Sequence, residues 1–456
     1  MALNADDLRT RFSEALSEMY RAEVPLYGEL LQIVRDVDGA VLEAQGKQLE
    51  DRPLRNQLER HGAIRLGTEH ELRAIKRLFA LFGMHPVGYY DLTAVGFPLH
   101  GTAFRPLTAR ALDKNPFRVF TTVLRHDLLS PSIRETVDKI LKDRNLFSPR
   151  LCEMIARAER ESTMPAQEAN DLIFESLKIF KWHSRSTVSM NAYARLKSEH
   201  PMVADIACFP SAHINHLTPR TLDIDLVQQE MARRGLPAKD AIEGPPPRQC
   251  PILLRQTSFK ALEERVMFDD GHGQAVPGTH TARFGEVEQR GAAVTNKGRE
   301  LYDQLLSFAN RNAANVSGHQ FDHVLYNSFR KFPDTWEELR VGGLVYFCYR
   351  VTGAAKLGVS VPQQVSLDRL LDLGLVEYEP IVYEDFLPFS AAGIFKSNLP
   401  EESNRPHIDC SSNVTELERA LGCQILNEID CYRKLQEDSL ERCRAELGLE
   451  EITGVF

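Results

Sequence analysis

No apolar run in the 456-residue chain approaches the roughly 20 residues needed to cross a bilayer, so a membrane-spanning protein is not expected. There is no block of Lys and Arg either. With a net charge of -9 the chain lacks the electrostatic footprint of a nucleic-acid binder. Met1 leads into Asn4-Ala5-Asp6-Asp7, the opposite of a charged-then-apolar export signal, and a cytoplasmic protein is expected. The eight cysteines, Cys152, Cys208, Cys250, Cys348, Cys410, Cys423, Cys431 and Cys443, include no Cys-x-x-Cys pair. That scatter fits reduced thiols better than a disulfide frame or a zinc knuckle. Also missing are a Walker loop, a His-Glu-x-x-His helix and a Gly-x-Ser-x-Gly elbow. Gly271-His272-Gly273 has no strand before it and no helix after it, so it reads as a turn and not as a dinucleotide site. No low-complexity tract or solenoid-length repeat is present, and nothing indicates an obligate protein partner.

What is present is an ordinary globular balance, 43% hydrophobic and 26% charged, with three polar segments that a folding core would not require. They are His61-Gly62-Ala63-Ile64-Arg65, His213-Ile214-Asn215-His216-Leu217-Thr218-Pro219-Arg220, and the run from His280 through Glu286 and Glu288 to Gly291. Together they offer two histidines and one carboxylate, a set that holds a first-row metal on one face and leaves the other for substrate and dioxygen.

Each segment also has a plainer reading. As a strand, the first puts His61, Ala63 and Arg65 on one face, with Gly62 and Ile64 on the other. The same residues would suit a solvated strand edge. His213 and His216 are three apart, so on an extended backbone only one of them faces a given site. In the third segment Ala282, Phe284, Glu286 and Glu288 share a face, and the acids are either solvated or turned inward. An unpaired inward acid costs several kcal/mol, so inward glutamates require a metal or another cation beside them. His70, in the first turn of a helix and off its apolar stripe, is expected to be solvated.

Along the chain, residues 1–59 read as a helical lead-in, with Leu8, Phe12 and Leu16 at helical spacing and a break at Pro25. Residues 60–114 read as a first β module: strand from His61, helix opened by the capping box Thr68 to Glu71, strand at Val87 to Asp91, and more extended sequence through Phe104. Residues 115–202 read as a helical insertion, its clearest pieces Phe117 to Leu129, Ile133 to Leu141 and Leu172 to Phe180. Residues 203–400 read as a β region with a strand from His280 to Ala293, a helix from Asn296 to Ala309 and a buried strand near Gly343 to Tyr349. Residues 401–456 close with one amphipathic helix from Thr415 to Glu446, opened by a second capping box, Thr415 to Glu418. A single elaborated catalytic domain is expected.

These residues are specific enough to carry a resemblance. Glu23 to Tyr27, Arg60 to Arg65, Tyr89 to Leu92, His213 to Asp225, Pro251 to Leu262, His280 to Gly291 and Asp385 to Phe395 make the chain similar, nearly end to end, to the iron(II)-dependent 2-oxoadipate dioxygenase/decarboxylases, or 2-hydroxyglutarate synthases. The resemblance implies an α+β fold of the vicinal-oxygen-chelate kind. That fold is a cupped β-sheet around one metal, here with a large helical insertion and helical N- and C-terminal segments. It implies Fe(2+) on His61, His216 and Glu286, which favours His216 over His213 and Glu286 over Glu288. It implies Arg65 for the far carboxylate of the substrate, with a further contact from the loop at Phe389 and Ser390. Four residues of strand place the backbones of His61 and Arg65 about 13 Å apart, and with both side chains leaning inward a six-carbon diacid can bridge the gap. The implied reaction joins 2-oxoadipate and O2 to give (R)-2-hydroxyglutarate and CO2, in lysine breakdown. Two other readings share the ligands: a vicinal-oxygen-chelate lyase or isomerase with a different divalent metal, and a metal-binding protein without turnover.

Overall fold

The computed structural model describes residues 2–51, 54–58, 60–93, 96–161, 163–312, 319–353, 362–387 and 414–454. Contacts divide the chain into two units. One comprises residues 1–243, 256–289 and 386–426, the other 244–255, 290–385 and 427–456. All of the expected ligands belong to the first.

The first unit begins with helices α1 (Ala5–Glu23) and α2 (Pro25–Ala44). Asn4 and Asp7 cap α1 reciprocally, and Pro25 starts α2 at a position where its missing N–H costs nothing. Strand β1 (Arg60–Leu66) leads into α3 (Glu69–Leu81), whose capping box between Thr68 and Glu71 is formed as expected. Strands β2 (His85–Asp91), β3 (Leu99–Arg105) and β4 (Arg118–Leu124) complete a βαβββ module. In it β1 and β4, the first and last strands, pair in parallel. Helices α4 (Pro131–Asp143), α5 (Pro149–Ala158) and α6 (Ala166–Phe180), strand β5 (Arg185–Ser189), and helices α7 (Met190–Glu199) and α8 (Pro201–Ala207) follow.

The chain then re-enters the main sheet at β6 (His216–Pro219). It continues through α9 (Ile224–Arg233), β7 (Leu254–Ser258), the hairpin β8 (Glu263–Asp269) and β9 (Ala275–Thr281), and β10 (Phe284–Arg290). The main sheet runs β2-β3-β4-β1-β6-β10-β7 and curls into a half-barrel, while β9, β8 and β5 form a separate small sheet. Glycine is required at position 62, where an added Cβ would fall 2.5 Å from Ile214 Cδ1 and 2.9 Å from the His216 carbonyl oxygen. That close approach seats β6 against β1.

Two apolar cores flank the sheet. Ile64 and Leu66 of β1 join α1, α2, α3 and α6 on one side; Ala63 joins Phe120, Leu99 and Ala103 with residues of α4, α7 and α8 on the other. Tyr20 fastens α1 to the sheet, its Oη lying 3.0 Å from the Asn215 carbonyl oxygen and 2.7 Å from that of Phe284.

The second unit contains α10 (Asn296–Asn312), α11 (His319–Phe329), the antiparallel pair β11 (Phe347–Val351) and β12 (Val376–Pro380), and, after α12 (Val414–Leu421) of the first unit, helix α13 (Glu428–Leu447). Gln436 and Ser439 of α13 accept hydrogen bonds from the backbone N–H groups of Phe347 and Tyr349.

Several expectations for secondary structure need correcting. The strand expected from His280 to Ala293 is broken: His280 belongs to β9 in the small sheet, and β10 of the main sheet starts at Phe284. Residues 118–124 form a strand inside the sheet, not the start of a helical insertion. The run Arg118-Val119-Phe120-Thr121-Thr122-Val123-Leu124 is buried throughout, so it shows no polar face, and its β-branched and aromatic residues suit a strand enclosed on both sides. Within the expected insertion of residues 115–202, the helical reading holds for most of residues 131–202, from α4 into α8. The tail, too, is two helices and not one. Gly422 adopts φ +68°, a left-handed conformation that ends α12, and Asn427 caps α13. Thr415 lies inside α12, and Glu418 accepts from the Ile425 N–H instead of closing a capping box.

Candidate metal centre

Strand register gathers the site. His61 of β1 lies opposite Arg118 of β4 on one side and Thr218 of β6 on the other. His216 of β6 pairs with Phe284 of β10, and two residues along, the same parallel register brings Thr218 to Glu286. Side chains two apart share a face, so His61 and Arg65, His216 and Thr218, Glu286 and Glu288, and Arg118 all project from one side of the sheet.

His61, His216 and Glu286 converge there, each offering a ligand atom within 4.8 Å of the others, and all three are buried. His61 Nε2 lies 2.9 Å from Glu286 Oε1, yet no aligned hydrogen bond joins them. Glu286 Oε2 and His216 Nδ1 also lack hydrogen-bond partners, and Oε1 accepts only from the Thr218 hydroxyl, at 3.1 Å. Buried lone pairs left unspent are costly. A divalent ion resolves the cost: ligand atoms about 2.1 Å from a common metal and at right angles to each other sit about 3 Å apart, which matches the separation of Nε2 and Oε1. The residues therefore fit a metal.

The two histidines differ in their electrostatics. Burial pushes His216 well below the usual imidazole range, assisted by the positive charges of His61 and Arg65, so it is the neutral ring a metal requires. For His61 burial acts in the same direction, but the charges of Glu288 and Glu286 outweigh it and its pKa is raised. Glu288 stands behind the ring, its Oε2 2.7 Å from His61 Nδ1, and its Oε1 3.5 Å from Arg118 Nη1. Both glutamates thus face inward. Glu286 meets the two histidines, whereas the cation beside Glu288 is a guanidinium. Phe386 closes one side, its ring centroid 4.8 Å from that of His61 at 88°, backed by Phe120 and Tyr90.

His213 belongs to a second cluster. Its Nε2 is 3.1 Å from Asp205 Oδ1, and His280 Nε2 is 2.9 Å from the same oxygen. Arg65, four residues along β1 from His61, is buried with its Nη1 2.5 Å from Asp205 Oδ2. Phe389 and Ser390 lie outside the described residues. Sequence reasoning missed Asp205, Arg118, Phe386 and the place of Glu288 behind His61. Asp205 was open to detection as a lone acid in the apolar helix run Met202 to Ala207.

A model of the family described as 2-oxoadipate dioxygenase/decarboxylase matches residues 12–398. The chain belongs to that family. It is 48% identical over 451 residues to a 2-oxoadipate dioxygenase/decarboxylase of Escherichia coli, covering 97% of this chain and 99% of that one. It is 45% identical over 462 residues to the Pseudomonas putida protein of the same name, covering 98% of each. The crystal structure of the hydroxyglutarate synthase from Pseudomonas putida in complex with 2-oxoadipate superposes with a TM-score of 0.88 at 44% identity, over 98% of this chain and 99% of that one. Among the described residues of this family member no helix is long and apolar enough to cross a membrane.

Proposed function

We propose that this chain is a cytoplasmic, iron(II)-dependent dioxygenase that converts 2-oxoadipate and O2 to (R)-2-hydroxyglutarate and CO2 in lysine breakdown. The observation that carries the reading is the buried set of two histidines and one carboxylate, with lone pairs unspent, in a chain similar over 97% of its residues to a 2-oxoadipate dioxygenase/decarboxylase. His61 Nε2, His216 and Glu286 hold the ion and leave its remaining positions to small ligands. Iron(II) held there would bind the 2-oxo acid end of the substrate and activate dioxygen, while the electrons come in net from the substrate, which loses CO2 and is hydroxylated.

The rest falls to the protein. Glu288 holds the Nδ1 side of His61, so that Nε2 is the nitrogen presented to the ion. Thr218 fixes the Glu286 carboxylate by donating to Oε1. Arg65 receives the far carboxylate by charge-assisted hydrogen bonds, and the loop at Phe389 and Ser390 contributes a backbone contact to it, as the family resemblance implies. Phe386, Phe120 and Tyr90 form an apolar wall that keeps bulk water from the ring of His61. No separate 2-oxo acid is consumed, because the substrate carries its own.

The test is oxygen consumption when 2-oxoadipate is added to iron-loaded protein, with CO2 and 2-hydroxyglutarate counted alongside. Equal amounts of O2 used, CO2 released and hydroxy acid formed are expected. Metal-loaded protein that transforms 2-oxoadipate without using O2 would instead be a lyase or isomerase. Protein that binds the ion and transforms nothing would be a non-catalytic metal binder.

A further inference from the structure

We infer that Asp205 is a positioning residue for substrate recognition: held by His213 and His280, it fixes the guanidinium of Arg65 for the far carboxylate of the diacid. The inference rests on the assignment of Arg65 to that carboxylate.

Asp205 is the one acid of α8, a helix whose other buried residues are apolar. Its two oxygens divide their work. Oδ1 accepts from His213 Nε2 at 3.1 Å and from His280 Nε2 at 2.9 Å, while Oδ2 meets Arg65 Nη1 at 2.5 Å. His280 is fixed in turn from its other nitrogen, Nδ1, by Tyr193 Oη at 2.9 Å. With His280 Nε2–H donating to Asp205, Nδ1 is the acceptor and the tyrosine hydroxyl the donor.

Aromatic rings clamp both imidazoles. Trp182 meets His213 edge-on at 4.8 Å and stacks on His280 at 6.0 Å, and Phe209 lies 4.8 Å from His280. Residues from β1, α7, α8, β9 and the segment before β6 thereby fix one carboxylate. Burial alone would raise the Asp205 pKa, but the charge of Arg65 and the histidine donors hold it well below the usual range, so it is a fixed anion.

An arginine on a strand has many rotamers, and a diacid anchored at a metal reaches only some of them. A guanidinium carries five N–H donors in one plane, so a carboxylate at Nη1 sets that plane without exhausting the fork. The bare composition of this cluster, two histidines and an acid, would also suit a second metal. Its hydrogen bonds argue otherwise, since both Nε2 atoms are already committed to Asp205.

The test compares 2-oxoadipate with 2-oxohexanoate, which has the same length and no far carboxylate. Dissociation constants are measured on iron-loaded protein without oxygen, together with KM, kcat, iron content and melting temperature. Asp205→Asn is expected to weaken 2-oxoadipate about tenfold to a hundredfold, the worth of a lost charge-assisted hydrogen bond. 2-Oxohexanoate and iron content should stay near wild type, with the loss in KM more than in kcat. Tyr193→Phe, which removes only a hydroxyl, should shift the diacid in the same direction by about two- to tenfold. In an Arg65→Ala background Asp205→Asn should add nothing to the discrimination.

Unchanged or tighter binding of 2-oxoadipate in both Asp205→Asn and Tyr193→Phe would overturn the proposal, as would a second metal ion per chain lost with Asp205→Asn. If Arg65→Ala weakens both acids equally, the assignment of Arg65 has itself failed. If Arg65→Ala is selective and Asp205→Asn is not, only the positioning role falls.

Discussion

Two clusters of the same composition sit in one unit of this protein. His61, His216 and Glu286 form one, and Asp205, His213 and His280 the other; each has two buried histidines and a buried acid with ligand atoms within 4.8 Å. They differ in how their lone pairs are spent. In the first, His61 Nε2 and Glu286 Oε1 crowd without an aligned hydrogen bond between them, and the other Glu286 oxygen goes unpartnered. In the second, both histidine Nε2 atoms donate to one aspartate oxygen and an arginine takes the other. Proximity of histidines and acids does not identify a metal site. Crowded ligand atoms with no aligned hydrogen bond between them do; a single unpartnered nitrogen does not, since His213 Nδ1 of the second cluster lacks a partner too.

The largest expected effect separates the clusters directly. His61→Ala, His216→Ala and Glu286→Ala should each lower turnover about a thousandfold or more, since metal catalysis contributes several kcal/mol, and should strip the ion measured by elemental analysis. Next comes metal removal. A chelator should lower the melting temperature of the wild type, because it withdraws a binding free energy of about 2.7 kcal/mol at a metal concentration one hundred times Kd. That shift should vanish in Glu286→Ala and persist in Asp205→Asn.

Glu288→Gln keeps the shape behind His61 and removes the charge, and titration should show metal affinity about 10- to 100-fold weaker. The smallest effect is expected for His213→Ala. It should keep a full complement of metal and cost about 1–3 kcal/mol of stability in urea melts, because Asp205 loses a donor. Loss of iron with His213 and its retention with His216 would reverse the roles of the two clusters.

Much of the first cluster is legible in the chain. The two-residue period of a strand puts His61 and Arg65 on one face of β1 and both glutamates on one face of β10, as the structure has them. Spacing alone does not choose between His213 and His216, or between Glu286 and Glu288. The structure uses all four, dividing them by strand register and by the turn of chain before β6. Register is a long-range property and leaves no local trace.

Arg118 escapes for a different reason. It opens an apolar run buried on both faces, where neither helical nor strand period is expressed. The βαβββ module is therefore legible only up to its third strand, because its fourth reads as helix. Asp205 leaves one local signal, a lone acid in a short apolar helix, but its partners Arg65, His213 and His280 come from elements far apart in the chain. Gly422 is masked within a stripe whose apolar spacing happens to continue from α12 into α13.

The most direct test of this division is anomalous X-ray scattering at the iron edge from crystals of the iron-loaded protein. The account predicts one peak, bounded by His61 Nε2, His216 and Glu286, and no peak among Asp205, His213 and His280. A peak in the second cluster, or none in the first, would contradict it.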